Sequence, residues 1–232
     1  MCDTVDWASA ELLAQSLVDA IPGALLDDLP FLAMGSKPEH IVRDLLALYL
    51  HQTTNLISVR EYSDSSSPSK LGKRVDLALL SPEGPILLIE LKAWAHFDAL
   101  NDKKLRDKSP KQGIMGALLS DAEKLRNYAT YLRNNGRPLP KLFAVGIFFA
   151  VAVDDLNHPH KDAVKYAGNH QRALNEFGTL DSLCNAAMEN VSLVSSEQGE
   201  TVVSNLARGM SWGMDVRLDV VVTQILINGQ GD

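Results

Sequence analysis

The sequence has 232 residues, of which 46% are hydrophobic and 22% are charged, with 15 Gly and 10 Pro. This composition is that of an ordinary globular protein, and it excludes a disordered chain, a collagen-like repeat and a small disulfide-stapled domain. The formal charge of −7 excludes a protein that holds nucleic acid through its overall charge, although a local basic patch stays open.

The cysteine content and the apolar runs bear on the cellular compartment. The two cysteines, Cys2 and Cys184, form no zinc-binding pattern and no disulfide framework, which suits a reducing compartment. The first residues are acidic and lack the basic segment and apolar stretch of a signal peptide. The longest apolar runs, such as 142–153, are too short to cross a bilayer as a helix. We therefore expect a cytoplasmic protein that has no contact with a membrane.

The first part of the chain predicts two helices and a strand. Apolar residues at helical spacing predict a helix over about residues 4–20 and a second one from about residue 36. Ser36 and Glu39 have the spacing of a capping box at the start of the second helix. An alternating segment near 57–61 predicts the first strand.

The remaining elements follow from longer apolar runs. Runs at 75–80 and 86–91 predict a hairpin of two buried strands. The charged stretch 101–111 predicts an exposed loop or a fraying helix, and a long helix then ends at Gly136. Residues 142–153 predict a buried strand that runs parallel to the preceding one, because a long helix connects them. The last part predicts helices near 162–176 and 180–190, a short strand near 191–195, a helix near 199–208 and a strand over about 216–227.

Charged residues lie inside the predicted hairpin. Glu90 and Lys92 are two residues apart, so both side chains project from one face of their strand. Whether Asp76 joins them depends on the turn, because a three-residue turn over 82–84 places Asp76 across from Glu90 and a two-residue turn does not. Proline at the first turn position and glycine at the last favour the three-residue turn. Both carboxylates are then close enough to bind one hard cation.

These residues also carry a family resemblance. The strings Arg74-Val75-Asp76 and Ile89-Glu90-Leu91-Lys92 resemble the motif of the PD-(D/E)XK nuclease superfamily, with valine where the motif has proline. The resemblance covers about residues 36–153, and residues 154–232 would form a C-terminal α/β extension of a single domain. It implies an α/β restriction-endonuclease-like fold, with a mixed β-sheet flanked by helices in the order αβββαβ. It also implies that Asp76 and Glu90 bind the catalytic metal while Lys92 assists hydrolysis of a phosphodiester.

Many relatives of that superfamily have an additional acid on the helix that precedes the sheet. Glu39 is the candidate here, and its capping-box position explains it equally well. Glu61, at the end of the first predicted strand, is the weaker alternative, since a solvated strand end accounts for it.

The long predicted helix carries a second point of similarity. Lys124, Leu125 and Tyr128 are similar to the lysine-or-glutamine, leucine, tyrosine pattern of several branches of the superfamily. The resemblance implies that Lys124 approaches the phosphate or supports the metal ligands. An exposed helix lysine is the alternative, and Ser120 with Glu123 forms a second possible capping box.

Positive charge is concentrated directly after the motif strand. It suits contacts to the phosphates of a nucleic-acid backbone, and a solvated charged loop is the alternative. The residues concerned are Lys103, Lys104, Arg106, Lys108 and Lys111.

The predicted function is Mg²⁺-dependent hydrolysis of DNA phosphodiester bonds, in restriction, defence or repair, with Mn²⁺ as a substitute metal. Because one such site cuts one strand, we expect a homodimer for double-strand cleavage. One alternative is a nuclease for RNA or for structured or single-stranded substrates. Another is a catalytically silent nucleic-acid-binding or assembly module, whose charges would form a salt-bridge grid on a solvated sheet face. Apolar neighbours argue against the grid, since buried charges are costly unless paired or metal-bound.

Overall fold

A six-stranded mixed β-sheet forms the centre of the computed structural model, which describes residues 9–21, 28, 38–64, 74–109, 113–153, 164–211 and 213–227. Its strands are β1 (Ile57–Tyr62), β2 (Val75–Ser81), β3 (Gly84–Ala95), β4 (Lys141–Val151), β5 (Thr201–Ser211) and β6 (Met214–Gln224). They lie in the order β1-β2-β3-β4-β6-β5. Only β3 and β4 pair in parallel; the other neighbours in this sheet are antiparallel.

Helices cover both faces of this sheet. They are α1 (Ala10–Asp19), α2 (Glu39–Thr53), α3 (His96–Leu100), α4 (Asp102–Arg106), α5 (Ile114–Asn134), α6 (Ala167–Phe177) and α7 (Leu180–Ser195). The apolar sides of α1 and α2 pack on one face of the sheet, and those of α5 and α7 pack on the other. The predicted α/β class, with a mixed sheet flanked by helices, is confirmed. None of the described helices has the length and apolar character needed to span a membrane.

The connection from β3 to β4 has the predicted direction. The two strands pair in parallel from Leu87 with Lys141 to Ala95 with Phe149, and α5 forms most of the crossover between them. Every residue of β4 after the first is buried, because its neighbours β3 and β6 protect its edges and helices cover its faces. Strand β3 therefore lies near the middle of the sheet, and most of its side chains are buried.

The hairpin of β2 and β3 differs from the prediction at its turn. Ser81 pairs with Gly84, so the turn has two residues, and the predicted three-residue turn is wrong. The register then shifts by one residue, because a bulge in β3 skips Ile86. A bulge adds one residue to one strand and so reverses the facing of everything beyond it. The register beyond the bulge places Asp76 across from Glu90, as predicted, although by another route.

The C-terminal part contains the other incorrect predictions. Residues 191–195 continue helix α7 and do not form a strand, because Val191 and Val194 repeat the helical spacing of its buried face. Residues 201–211 form strand β5, and not a helix. Strand β6 supplies the partner for β5 along its whole length. At residues 201–211, pairing with β6 outweighed the local helix propensity on which the prediction depended.

Helices α5 and α2 do not begin at the predicted capping boxes. Helix α5 begins at Ile114 after the cap residue Gly113, so Ser120 and Glu123 lie inside the helix and do not cap it. Helix α2 begins at Glu39, with Pro38 as its cap residue. Ser36 and residues 4–8 of the predicted first helix lie outside the described residues.

Gly146 on β4 makes room for an aromatic stack beside the hairpin. It pairs with Lys92 on β3, and the rings of Trp94 and Phe148 stack with centroids 5.4 Å apart. A Cβ atom at Gly146 would lie 2.8 Å from Cε2 of Phe148 and 3.4 Å from Cζ3 of Trp94. Since Phe148 is fully buried, its ring has little space into which to move.

We expect Gly146→Ala to lower the free energy of unfolding by about 1–3 kcal/mol, the usual cost of overpacking a core. Gly168→Ala is the matched control, because Gly168 lies in α6 and a Cβ atom there meets nothing within 4 Å. That change should raise stability by about 0.4–1 kcal/mol through the unfolded state. Urea unfolding measures both values, and a Gly146→Ala protein as stable as the wild type would contradict the packing described.

Candidate functional site

Three carboxylates and two lysines converge between the β2–β3 hairpin and helix α5. Asp76 lies on β2, and Glu90 and Lys92 lie on β3. Asp121 and Lys124 lie on α5, three residues apart, and such residues are neighbours on the surface of a helix. The face of the sheet that carries Glu90 is the face on which α5 packs, so the two sets of charged side chains meet.

Lys92 lies between two of the carboxylates. Its Nζ is 3.9 Å from Oδ2 of Asp76 and 3.8 Å from Oδ2 of Asp121. It also donates a hydrogen bond to the carbonyl oxygen of Leu91 at 3.1 Å. Oδ2 of Asp76 accepts a hydrogen bond from the backbone N–H of Leu91 at 2.8 Å, which fixes the carboxylate beside the third strand.

Lys124 makes the second contact between an ammonium group and a carboxyl group in the site. Its ammonium group contacts Oε1 of Glu90 and donates to the carbonyl oxygen of Arg74. Only 2% of the Glu90 side chain is exposed, against 17% of that of Lys124. The lysine thus reaches from the helix into a place where Glu90 has almost no contact with water.

Burial dominates the electrostatics of Glu90. Desolvation, followed by the charge of Asp76, raises the pKa of Glu90 to about 8, and the opposing effect of Lys124 is smaller. A carboxyl group with this pKa holds its proton at neutral pH. Burial is also the first cause that raises the pKa of Asp121 to about 6.

At Lys92 the charges of the neighbouring carboxylates outweigh the effect of burial. Burial works to lower the pKa of its ammonium group, but the charges of Asp121, Asp76, Glu39 and Glu90 together raise it. Lys92 therefore stays protonated at neutral pH. Lys92 and Lys124 thus place two ammonium groups among the carboxyl groups of the site.

Glu39 lies near this site, while Glu61 lies apart from it. The charge of Glu39, in the first turn of α2, contributes to the raised pKa values of Lys92 and Asp121. Glu61 has a left-handed backbone with φ of 52° and forms an ion pair with Arg43 of α2. The alternative at Glu61, a strand end outside the site, fits this placement.

Leu125 and Tyr128 anchor the helix that carries Asp121 and Lys124. Leu125 is fully buried in the apolar layer between α5 and the sheet. The hydroxyl of Tyr128 donates to Asp64 at 2.9 Å, and Asp64 also accepts from Arg137 at 2.6 Å. These contacts tie α5 to the residues that follow β1.

The predicted basic segment forms the short helix α4 and its flanks. Lys104 forms an ion pair with Asp98, and Nε of Arg106 is 2.8 Å from Oδ1 of Asp102. Lys103 and Lys108 are exposed, and Lys111 lies outside the described residues. Two of these cations are thus neutralised locally, which weakens the patch as a source of positive field.

Sequence reasoning missed Asp121. Its signal was present, because Asp121 precedes Lys124 by three residues and so shares the helix face for which Lys124 was selected. The sequence does not show which face of this helix turns toward the sheet, so the proximity of Asp121 to Asp76 and Lys92 could not be inferred from it.

The chemical character of the site follows from its donors. Oxygens of Asp76, Glu90 and Asp121 are hard ligands of the kind that Mg²⁺ and Mn²⁺ prefer. The exposed fractions of the Asp76 and Asp121 side chains are 17% and 13%, which does not fit a salt-bridge grid on a solvated sheet face. In the described part of the chain the oxygens of these three carboxylates do not all lie within 4.8 Å of one another, so a divalent cation bound here would use two of them or require the side chains to move.

A second cluster with ligand-type atoms lies elsewhere in the core. Ligand atoms of His96, Cys184 and Asp219 lie within 4.8 Å of one another. Nε2 of His96 is 2.9 Å from Oδ2 of Asp219, whose carboxylate also pairs with Arg217 and accepts from Asn205. Because its partners already satisfy Asp219, we interpret the cluster as a buried hydrogen-bond network.

Comparisons with models of protein families, with curated proteins and with solved structures found no match.

The raised pKa of Glu90 predicts how stability depends on pH in the absence of divalent cations. Above pH 4.3, the ordinary pKa of glutamate, the unfolded chain loses this proton while the folded chain keeps it up to about pH 8. The folded state therefore binds more protons, and stability falls as pH rises through this window. The slope is at most about 1.4 kcal/mol per pH unit for one proton.

We expect thermal melts in EDTA to show a melting temperature that falls from pH 7.5 to pH 8.5. Below about pH 7.5 the titration of His170 acts in the opposite sense, because burial lowers its pKa in the folded protein to about 3 while the unfolded side chain titrates near pH 6.5. Glu90→Gln should flatten the slope and melt higher than the wild type at the upper end. Glu189→Gln, an exposed acid of α7, should keep the wild-type slope. Equal slopes in the wild type and Glu90→Gln would show that Glu90 is ionised in the folded protein.

Proposed function

We propose that this chain is a Mg²⁺-dependent nuclease of restriction-endonuclease-like fold that hydrolyses DNA phosphodiester bonds. The observation that carries the proposal is the convergence of Asp76 and Asp121 on the ammonium group of Lys92, with Glu90 close enough to act on the same group electrostatically. The order of elements α2, β1, β2, β3, α5, β4 supports it, because the charged residues lie on the strands and helix that the family resemblance selects.

The donor set suits Mg²⁺. This ion keeps several waters and needs only one or two protein carboxylates, which Asp76 and Glu90 can supply, with Asp121 as a further acid nearby. When bound, Mg²⁺ supplies Lewis-acid polarisation of the scissile phosphate. Mn²⁺ accepts similar ligands and is expected to substitute.

Lys92 is positioned to stabilise negative charge on the substrate. Its raised pKa keeps the ammonium group charged at neutral pH, so it can donate to a phosphate oxygen and offset the negative charge that develops in the transition state. A charged ammonium cannot accept a proton from water. We therefore favour stabilisation of charge over general base catalysis as its role.

Lys124 has a positioning role in this proposal. It contacts the protonated Glu90 in the absence of a divalent cation, and a cation that displaced this proton would free the ammonium group for the substrate. Glu39 would act at longer range, through its charge on Lys92 and Asp121. One site of this kind cuts one strand, so cleavage of both strands would need a two-fold symmetric dimer.

One observation favours the catalytically silent alternative. Lys92 lies between Asp76 and Asp121, and Glu90 holds a proton beside Lys124, so the site could be stable as a closed charge cluster without any metal. A nucleic-acid-binding or assembly module would need no more than that. An RNA nuclease shares every feature of the site and differs only in its substrate.

We expect the wild-type protein to nick supercoiled plasmid DNA in Mg²⁺ or Mn²⁺ but not in EDTA. Asp76→Asn, Glu90→Gln and Lys92→Gln should each slow nicking by about 100-fold or more, as the loss of one preorganised charge does in other active sites. Glu189→Gln and Lys141→Gln, on exposed positions of α7 and β4, are the matched controls and should cut at the wild-type rate.

The outcomes of this assay separate the three functions. Cleavage of RNA without cleavage of DNA would select the RNA nuclease, and an inert protein on both substrates would select the silent module. Wild-type turnover by Lys92→Gln would rule out the proposed role of the lysine.

A further inference from the structure

A groove begins at Lys92 and leads away from the acidic site. A cleft of about 320 Å³ at the end of β3 is lined by Lys92, Trp94, Lys165 and Tyr166, among others. A neighbouring cleft of about 340 Å³ reaches Arg172 on α6. Both clefts share Phe97, Asp98, Lys104 and Asn169, so they form one continuous surface, here named the Lys92–Arg172 groove.

The groove concentrates positive charge in an acidic chain. Lys92, Lys104, Lys165 and Arg172 line it, whereas the whole chain carries a formal charge of −7. Its acids are Asp98, which is paired with Lys104, and Glu176, so four cations face two acids along the groove. Cations spaced along a groove are the arrangement by which proteins track the phosphates of a strand.

Tyr166 is the unusual residue of this groove. The residue is 53% exposed, and its backbone is left-handed with φ of 64° and ψ of 32° directly before α6. An aromatic residue seldom adopts this conformation, which glycine adopts without cost. Strained residues held in place by their surroundings are concentrated at functional sites.

Neighbours hold the Tyr166 ring at the wall of the groove. The ring meets Phe97 edge to face, with centroids 6.1 Å apart, and Nζ of Lys165 lies 5.2 Å from its centroid. The protein thus presents a partly exposed aromatic surface with a lysine beside it. That combination suits a nucleobase stacked on the ring and its phosphate paired with the lysine.

We infer that the Lys92–Arg172 groove binds an unpaired DNA strand next to the scissile phosphate, with one base stacked on Tyr166. This inference rests on the proposed nuclease function and specifies its substrate as single-stranded or locally unpaired DNA. Each cleft has a volume at the lower end of the range of about 300–1,000 Å³ for small-ligand sites, which suits a single nucleotide. A base can stack on Tyr166 only after it leaves the stack of a duplex.

The test measures binding of a labelled single-stranded oligonucleotide and of the blunt duplex of the same sequence. Fluorescence anisotropy in Ca²⁺ and in EDTA records binding with little turnover. We expect the single strand to bind more tightly than the duplex. Tyr166→Gly and Tyr166→Ala should weaken single-strand binding by about 5- to 150-fold, the range for loss of one stacked base.

Two controls separate stacking from folding. Tyr166→Phe keeps the ring and should keep the wild-type affinity. Tyr166→Gly removes the ring at a position whose backbone glycine accepts without strain, so its melting temperature should not fall with its affinity. Lys165→Gln should reduce the salt slope of single-strand binding by about 0.7, and Lys141→Gln should leave the slope unchanged.

Unchanged single-strand affinity in Tyr166→Gly would overturn the inference, as would tighter binding of the duplex that no Tyr166 variant affects. Either result, together with Mg²⁺-dependent nicking by the wild type, would leave the nuclease proposal standing. No binding of either DNA, together with no nicking, would overturn both.

Discussion

A carboxyl group inside an apolar sheet must be neutralised by a proton or by a cation, and Glu90 is placed under this constraint. It lies on β3 with 2% of its side chain exposed and with Asp76 close enough to raise its pKa further. The ammonium group of Lys124 contacts Glu90, and that of Lys92 lies between Asp76 and Asp121. Strands β2 and β3 and helix α5 each contribute residues to this cluster, so their mutual packing holds the charges together.

Backbone geometry brings the charges to one face. The bulge at Ile86 sets the facing of β2 against β3, and the parallel pairing of β3 with β4 places β3 in the interior. Helix α5 then brings Asp121 and Lys124 onto the same face. A charge cluster assembled from three elements by a bulge and a crossover is costly for stability, and such costs are retained most readily where they serve function.

The sequence could predict those features that depend on local pattern. The strands β1 to β4, the long helix α5 and the parallel crossover follow from apolar periodicity, and the shared face of Glu90 and Lys92 follows from their spacing. The turn could not be predicted, because a bulge at Ile86 and a longer turn give the same facing and differ only in backbone detail. Strand β5 was missed because it is stabilised by pairing with β6 in a hairpin, while its own residues show no clear alternation of apolar and polar side chains.

The candidate site was predictable in part for the same reason. Asp76, Glu90 and Lys92 lie on neighbouring strands, so parity was enough to group them. Asp121 required knowledge of which helix face turns toward the sheet, and the ion pairs of Lys92 and Lys124 with the carboxylates required side-chain positions. Tyr166 carried no signal in the sequence, since a left-handed backbone at a tyrosine depends on the surrounding fold.

Calorimetric titration with Mn²⁺ at pH 7, in buffers of different ionisation enthalpy, tests most directly whether the carboxylates form a cation site. A cation that binds Glu90 must displace the proton that this residue holds at neutral pH, since its pKa is about 8. We expect saturable binding with release of about one proton, lost in Asp76→Asn and retained in Glu189→Gln. Binding without proton release, or binding that Asp76→Asn leaves intact, would contradict it.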